Sequence, residues 1–235
     1  MDVLTENADV FAKGLFVTFQ ICLLAAIGAL LLGTLLAAMR ISPIPPLRWF
    51  GTGYVTVVRN TPLTIVFFFM SFGLPELGSS ADFLKVPLID GLFTRLGTDL
   101  PYFRFAILAL TVYTAAFVCE ALRAGINAVQ PGQSEAGRSL GLTFLQNLRL
   151  VVLPQAGQYS VVPLGSVLIA MIKNSALAGA FGVVGDLFQS GVDLTSAQGN
   201  PAIPVFIGIA AGYLILTVPS GLLLDRIERR QAVSR

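Results

Sequence analysis

Long apolar runs separated by short polar stretches dominate this chain. Five of them are long enough to cross a bilayer as helices, at about 1.5 Å per residue across roughly 30 Å of hydrocarbon. They cover 15–39, 54–73, 103–127, 159–184 and 203–224. The first and last runs contain no charge. Arg59 and Asn60 stand near the start of the second, Glu120 and Arg123 near the end of the third, and Lys173 interrupts the fourth. Periodicity adds little, because a helix that is apolar all round is what a membrane span looks like. The pattern predicts an all-α, polytopic membrane protein in which 1–235 form one domain with five transmembrane helices. The stretch 74–102, rich in glycine and proline, predicts an ordered loop with a short interfacial helix.

Composition agrees. Of 235 residues, 55% are hydrophobic and 12% charged, too few charges to coat a soluble domain of this size. The absence of histidine excludes His-based triads and imidazole ligands. Cys22 and Cys119 both fall in apolar stretches with no ligand-like spacing, which excludes a disulfide framework or zinc site. No basic patch points to nucleic acid. The start carries Asp2, Glu6 and Asp9, whereas a signal peptide needs a basic start, so the first run reads as a retained span.

Charge sets the orientation. The loop 40–53, the segment 120–158 and the C-terminal tail hold Arg40, Arg48, Arg123, Arg138, Arg149, Arg226, Arg229, Arg230 and Arg235, with Arg59 at the edge of the second span. The opposite side holds only Lys13, Lys85, Arg95 and Arg104, together with nine of the thirteen acids. The first side is expected to be cytoplasmic, with the N-terminus outside and the C-terminus inside.

The cytoplasmic segment 129–154 is the most informative. Pro131-Gly132 breaks the helix leaving the third span. Ser134 is placed to cap a short helix, with Gly141 at its C′ position. Thr143 and Gln146 have capping-box spacing for a second helix, which Pro154 should stop before the fourth span. No phosphate-binding loop exists, since none of Lys13, Lys85 and Lys173 follows a glycine. Any energy-driven work by such a membrane protein would then need energy delivered mechanically from another protein. A short rigid helix seated in a partner's groove would transmit it, with small Ala136 and Gly137 allowing a deep seat and Glu135 offering a charge-assisted bond.

Glu135-Ala136-Gly137, three residues, Gly141, nine residues, then Val151-Val152-Leu153-Pro154 resembles the Glu-Ala-Ala loop of bacterial ABC importer permeases. Gly137 for Ala and Val151 for Ile are its two departures. Arg59-Asn60-Thr61-Pro62-Leu63, Glu120-Ala-Leu-Arg123-Ala-Gly125-Ile126 and Lys173-Asn174-Ser175-Ala-Leu177 resemble motifs of the histidine/glutamine/glutamate permeases. The resemblance covers roughly residues 15–225. It implies the type I importer permease fold, with a coupling helix between the third and fourth spans. Glu135, Ala136, Gly137, Gly141, Leu153 and Pro154 would dock on an ABC ATPase dimer, which binds the ATP, so this chain needs no cofactor or metal. It also implies a second permease subunit, self or paralogue, an extracytoplasmic amino-acid-binding protein, and residence in the bacterial cytoplasmic membrane.

Lys173, Asn174, Ser175, Arg59 and Thr61 are the candidate pathway residues. A lysine in mid-span costs about 2.5–3.5 kcal/mol on insertion scales, so it must face a partner, water or substrate. Among the acids on spans of this chain, only Glu120 could pair with it. A lysine beside an amide suits a carboxylate or amide, which favours glutamate, glutamine or aspartate. Blander readings stay open: Arg59 snorkelling at the interface, Glu120 and Arg123 as an i,i+3 pair, and Lys173 as structural or paired across a dimer. Gly208 to Gly212 form a small-residue face suited to helix packing. A basic amino acid or another zwitterion fits the same architecture. From another class, a secondary transporter would usually have an internal repeat and midplane carboxylates, and neither is found. A membrane-bound enzyme would need a catalytic constellation, also not found.

Overall fold

The computed structural model describes residues 2–76 and 102–233. Among them the structure contains helices and no strands. Those helices are α1 (Asp2–Glu6), α2 (Ala8–Ile41), α3 (Pro45–Asn60), α4 (Leu63–Glu76), α5 (Phe103–Asn127), α6 (Pro131–Ser139), α7 (Phe144–Ala180), α8 (Leu187–Ser196) and α9 (Ala202–Val233). Four of them, α2, α5, α7 and α9, are long and apolar enough to cross a membrane; α3 and α4 together make a bent fifth candidate. The loop expected over 74–102 falls largely on residues 77–101, outside the described ones.

The first span runs further than its apolar stretch. Nothing between Ala8 and Leu15 breaks a helix, and Lys13 pairs with Asp9 at 3.2 Å one turn earlier. The second span departs most from expectation. Instead of a loop over 40–53 and a straight helix over 54–73, α3 and α4 meet at 103°. Two prolines cause this. Pro45 lies in the first turn of α3, where a missing N–H costs nothing, and so starts a helix inside the supposed loop. Pro62 forces Thr61 into an extended conformation (φ −94°, ψ 129°) and ends α3. By itself α4 covers about 21 Å, short of a crossing.

The third span matches its expected bounds, 103–127, and α5 is the centre of the bundle. It packs along α2 on one side and α7 on another, with α3 across its C-terminal half. One apolar cluster joins Ile21, Phe67, Phe103, Leu110, Met171 and Val183; a second joins Leu36, Val55, Ala115 and Cys119. In lipid such contacts gain by close packing rather than by leaving water. Gly208 and Gly212 behave as expected of a small-residue face: a Cβ would come within 2.6 Å of Phe11 at the first and 2.5 Å of Leu187 at the second. Ile203, Phe206, Leu214 and Leu222 of α9 point outward, as lipid-facing side chains do.

The fourth span also differs. Pro154 does not stop a helix. The chain runs helically from Phe144 to Ala180, and a wide π turn over Leu148–Val152 precedes Pro154, which falls in the first turn of the next segment. A π turn takes in the extra residue and removes the clash that a proline makes with the carbonyl behind it. Within that run the turn at Ser175 is slightly irregular (φ −64°, ψ −16°), directly after Lys173-Asn174.

Candidate functional site

The segment between α5 and α7 folds as a tight hairpin. Pro131 occupies the first turn of α6 and Gln130 the N-cap position, so α6 starts before Ser134 and that residue is no cap. Ser134 instead holds the hairpin closed: the Asn147 side-chain amide donates to its hydroxyl at 2.8 Å and to its carbonyl at 3.1 Å. Gly137 has a role the sequence reading missed. It is buried against Asn147 and Val151 of the same hairpin, where a Cβ has no room, so it is not offered to a partner. Gly141 takes the expected left-handed conformation, φ +81°. It closes a Schellman cap, with the Leu142 N–H donating to Gly137 and the Gly141 N–H to Arg138. The Thr143–Gln146 capping box also forms in both directions. Glu135, Ala136, Gly141, Leu153 and Pro154 are exposed. Around them Leu140, Phe144 and Leu145 lie 84, 63 and 70% exposed. A hairpin rigid in itself thus presents one carboxylate among uncovered apolar side chains.

Close to this end of the bundle, Glu120 of α5 gathers three arginines. Arg40 of α2 and Arg123 of α5 reach its Oε1, the latter at 3.5 Å, and Arg59 of α3 reaches Oε2 at 3.2 Å. The i,i+3 pair with Arg123 is present but is the longest of the three contacts. Arg59 also stands over the Phe117 ring, 5.8 Å from its centroid. Arg40, Thr56, Arg59, Asn60, Phe117 and Glu120 line a polar cavity of about 320 Å³. Glu120 therefore serves the arginines, and Lys173 makes no ion pair among the described residues.

Lys173 is exposed on α7. Asn174 lines a separate cavity of about 180 Å³ with Tyr113, Thr114, Phe117 and Met171. Thr61 and Ser175 turn their hydroxyls back on their own helices, donating to Val57 at 2.9 Å and Ile172 at 2.7 Å. Of the candidate pathway residues, then, Arg59 and Asn174 line two separate cavities that share Phe117.

A second carboxylate lies at the far end. Asp186 is fully buried beyond the end of α7, and its Oδ1 accepts the Gln189 N–H at 2.8 Å as the N-cap of α8. Its Oδ2 has no hydrogen-bond partner, nor does the nearby buried hydroxyl of Tyr213. Burial pushes the carboxyl up to about 7 against the pull of the Gln189 N–H. Thr18 on α2 accepts the Leu187 N–H at 3.1 Å and ties α8 to the first span. The sequence reading missed α8, although Asp186 followed three residues later by Gln189 is a helix-start signal.

Comparison with known proteins gives this architecture a family. Residues 29–233 match the family described as the binding-protein-dependent transport system inner membrane component. The glutamate transport system permease protein GluC of Corynebacterium efficiens is 41% identical over 220 residues, covering 94% of this chain and 93% of that protein. The probable glutamine ABC transporter permease protein GlnM of Bacillus subtilis is 35% identical, covering 98% and 97%. A crystal structure of an amino acid ABC transporter with histidines superposes with a TM-score of 0.81 at 32% identity, covering 97% of each chain. The chain therefore belongs to the family of binding-protein-dependent transport system inner membrane components, and its work is transport rather than catalysis.

Proposed function

We propose that this chain is the permease subunit of an ABC importer that carries a polar amino acid, glutamate before glutamine or aspartate, into the bacterial cytoplasm. Two permease subunits, this chain twice or with a paralogue, enclose the path. An extracytoplasmic binding protein delivers the amino acid. A separate ATPase dimer binds and hydrolyses ATP, closes, and pulls on the hairpin at Glu135, which switches the permeases between inward- and outward-facing states. The basic end of the bundle, with α6, faces the cytoplasm and the N-terminus lies outside.

The observation that carries this reading is the hairpin. Its hydrogen bonds lock it internally, while Glu135, Leu140, Phe144 and Leu145 remain uncovered ahead of the apolar run 159–184, and a patch of that kind belongs under a protein partner. The substrate reading rests on Lys173 and Asn174 in α7: a cation beside an amide attracts a carboxylate and repels a cationic side chain where screening is weak. Relatives named for glutamate and glutamine transport agree.

Reconstitution with all partners in proteoliposomes tests both halves. Labelled glutamate should enter on ATP, and arginine should not. Glu135→Ala and Gly141→Val should fold yet lose most ATP-driven uptake. The first removes a bond of about 1.5–3 kcal/mol, and the second forces a β-branched residue to positive φ. Lys173→Met should lower glutamate uptake at least tenfold. Wild-type uptake in the hairpin variants would sink the coupling role; in Lys173→Met it would sink the substrate argument.

A further inference from the structure

Tyr113, Phe117 and Glu120 lie on one face of α5, spaced i, i+4 and i+7. Phe117 is the wall shared by two cavities, the one holding Asn174 and the one holding Arg40 and Arg59. The first, about 180 Å³, falls below the roughly 300–1,000 Å³ usual for small-molecule sites, while the second, about 320 Å³, falls within it. The second is also built for an anion. Two guanidiniums on its wall, Arg40 and Arg59, meet the one carboxylate of Glu120, which leaves one positive charge in excess, and Arg123 adds a second from outside the lining. Each guanidinium has five N–H groups in a fixed fork, far more than the two oxygens of Glu120 can accept. Asn60 donates its amide N–H to the Thr56 carbonyl at 2.7 Å, which leaves its oxygen available on the same wall.

We propose that the arginine-lined cavity is a second station for the transported amino acid. The surplus N–H groups of Arg40 and Arg59 take its carboxylate, and the Asn60 oxygen takes its ammonium group. The ring of Phe117 separates this station from the cavity of Asn174, so the molecule passes it on the way between them. A neutral hydrophobic amino acid would be accepted less well than glutamate, which brings two carboxylates to the excess charge. This inference rests on the amino-acid transport reading above and extends it to a site that the motif residues Lys173 and Asn174 do not form.

Thr56 is exposed on the cavity wall and belongs to none of the ion pairs, and Cys22 and Cys119 are buried. A Thr56→Cys thiol therefore reports access to the cavity, with the variant's own uptake before modification as the baseline. The complete complex carrying it, in proteoliposomes, is treated with an anionic thiol reagent with and without glutamate. Glutamate should slow modification at least tenfold and leucine less than twofold, and modification should then cut glutamate uptake at least tenfold. Equal rates with and without glutamate would overturn the proposal. So would slowing that follows added phosphatidylglycerol and not glutamate, which would assign the cavity to a lipid headgroup. Uptake by the unmodified variant reads the parent hypothesis separately: a complex that transports glutamate but shows no protection refutes the station alone. Should Thr56→Cys fail to assemble, native mass spectrometry counts glutamate bound to the wild-type complex and to Arg59→Gln; the variant should hold less, and equal counts would refute the station.

Discussion

Glu120 and Asp186 are carboxylates at opposite ends of one bundle, and their surroundings treat them differently. Glu120 is about one-third exposed and holds three guanidiniums from α2, α3 and α5. Asp186 is fully buried, caps α8, and meets no cation among the described residues. A buried charge is tolerated when it is paired, and an unpaired one is driven towards its neutral form. The first carboxylate thus joins three helices through charge, and the second joins α8 to its neighbours through hydrogen bonds that a neutral acid also makes. The charged junction lies beside the hairpin, where force from a partner would enter. The neutral one lies just beyond the end of α7, the helix that carries Lys173-Asn174.

The largest effect expected concerns which end is which. In intact cells a membrane-impermeant maleimide should label Ser196→Cys, after Asp186, and leave Ser139→Cys on α6 untouched. Both positions are exposed and both native cysteines are buried, so the signal is clean. The reverse pattern would exchange the two ends and overturn the orientation.

Next comes the pH response of Asp186. Its value rises from an ordinary 3.8 to about 7 on folding, so folding takes up a proton between those limits. The stability this group allows is fully present below about pH 4 and is lost as pH rises through 7. Asp186→Asn keeps the cap to Gln189 and cannot ionise. At pH 8 the variant should be the more stable by something on the order of 3–4 kcal/mol, and near pH 4 the two should agree. Thermal unfolding in detergent at the two pH values measures this, and an unchanged pH slope would mean that Asp186 is ionised when buried.

The smallest effects separate the partners of Glu120. Glu120→Gln leaves three arginines without their counter-charge and should cost about 1–3 kcal/mol. Arg123→Gln removes only a 3.5 Å contact within one helix and should cost about 0.2–1 kcal/mol. Equal losses would show that the junction is held by the α5 pair rather than by the contacts to α2 and α3.

Much of the molecule was legible beforehand, and the legible parts share a cause. The positive φ of Gly141 and the Thr143–Gln146 box depend on a few consecutive residues, so spacing alone predicts them. The third span is equally local, an apolar run that only a helix can carry through lipid. The bend at Pro62 was local too, but the apolar stretch on both sides of it masked the proline. Gly137 was misread because its neighbour, Asn147, comes from the other arm of the hairpin.

By itself, then, the sequence determined the number of apolar runs, their charge bias and two caps of the hairpin, at Gly141 and at Thr143 with Gln146. Each follows from the cost of placing backbone or charge in hydrocarbon, or from torsions within a single turn. Only the tertiary structure decided that Arg40, Arg59 and Arg123 converge on Glu120, that Asp186 is sealed from every cation in the described residues, and that Phe117 divides two cavities. These are meetings between helices far apart in the chain. A helix that is apolar on every side carries no periodic mark of which face meets which neighbour, so close packing makes that choice and the residue pattern does not.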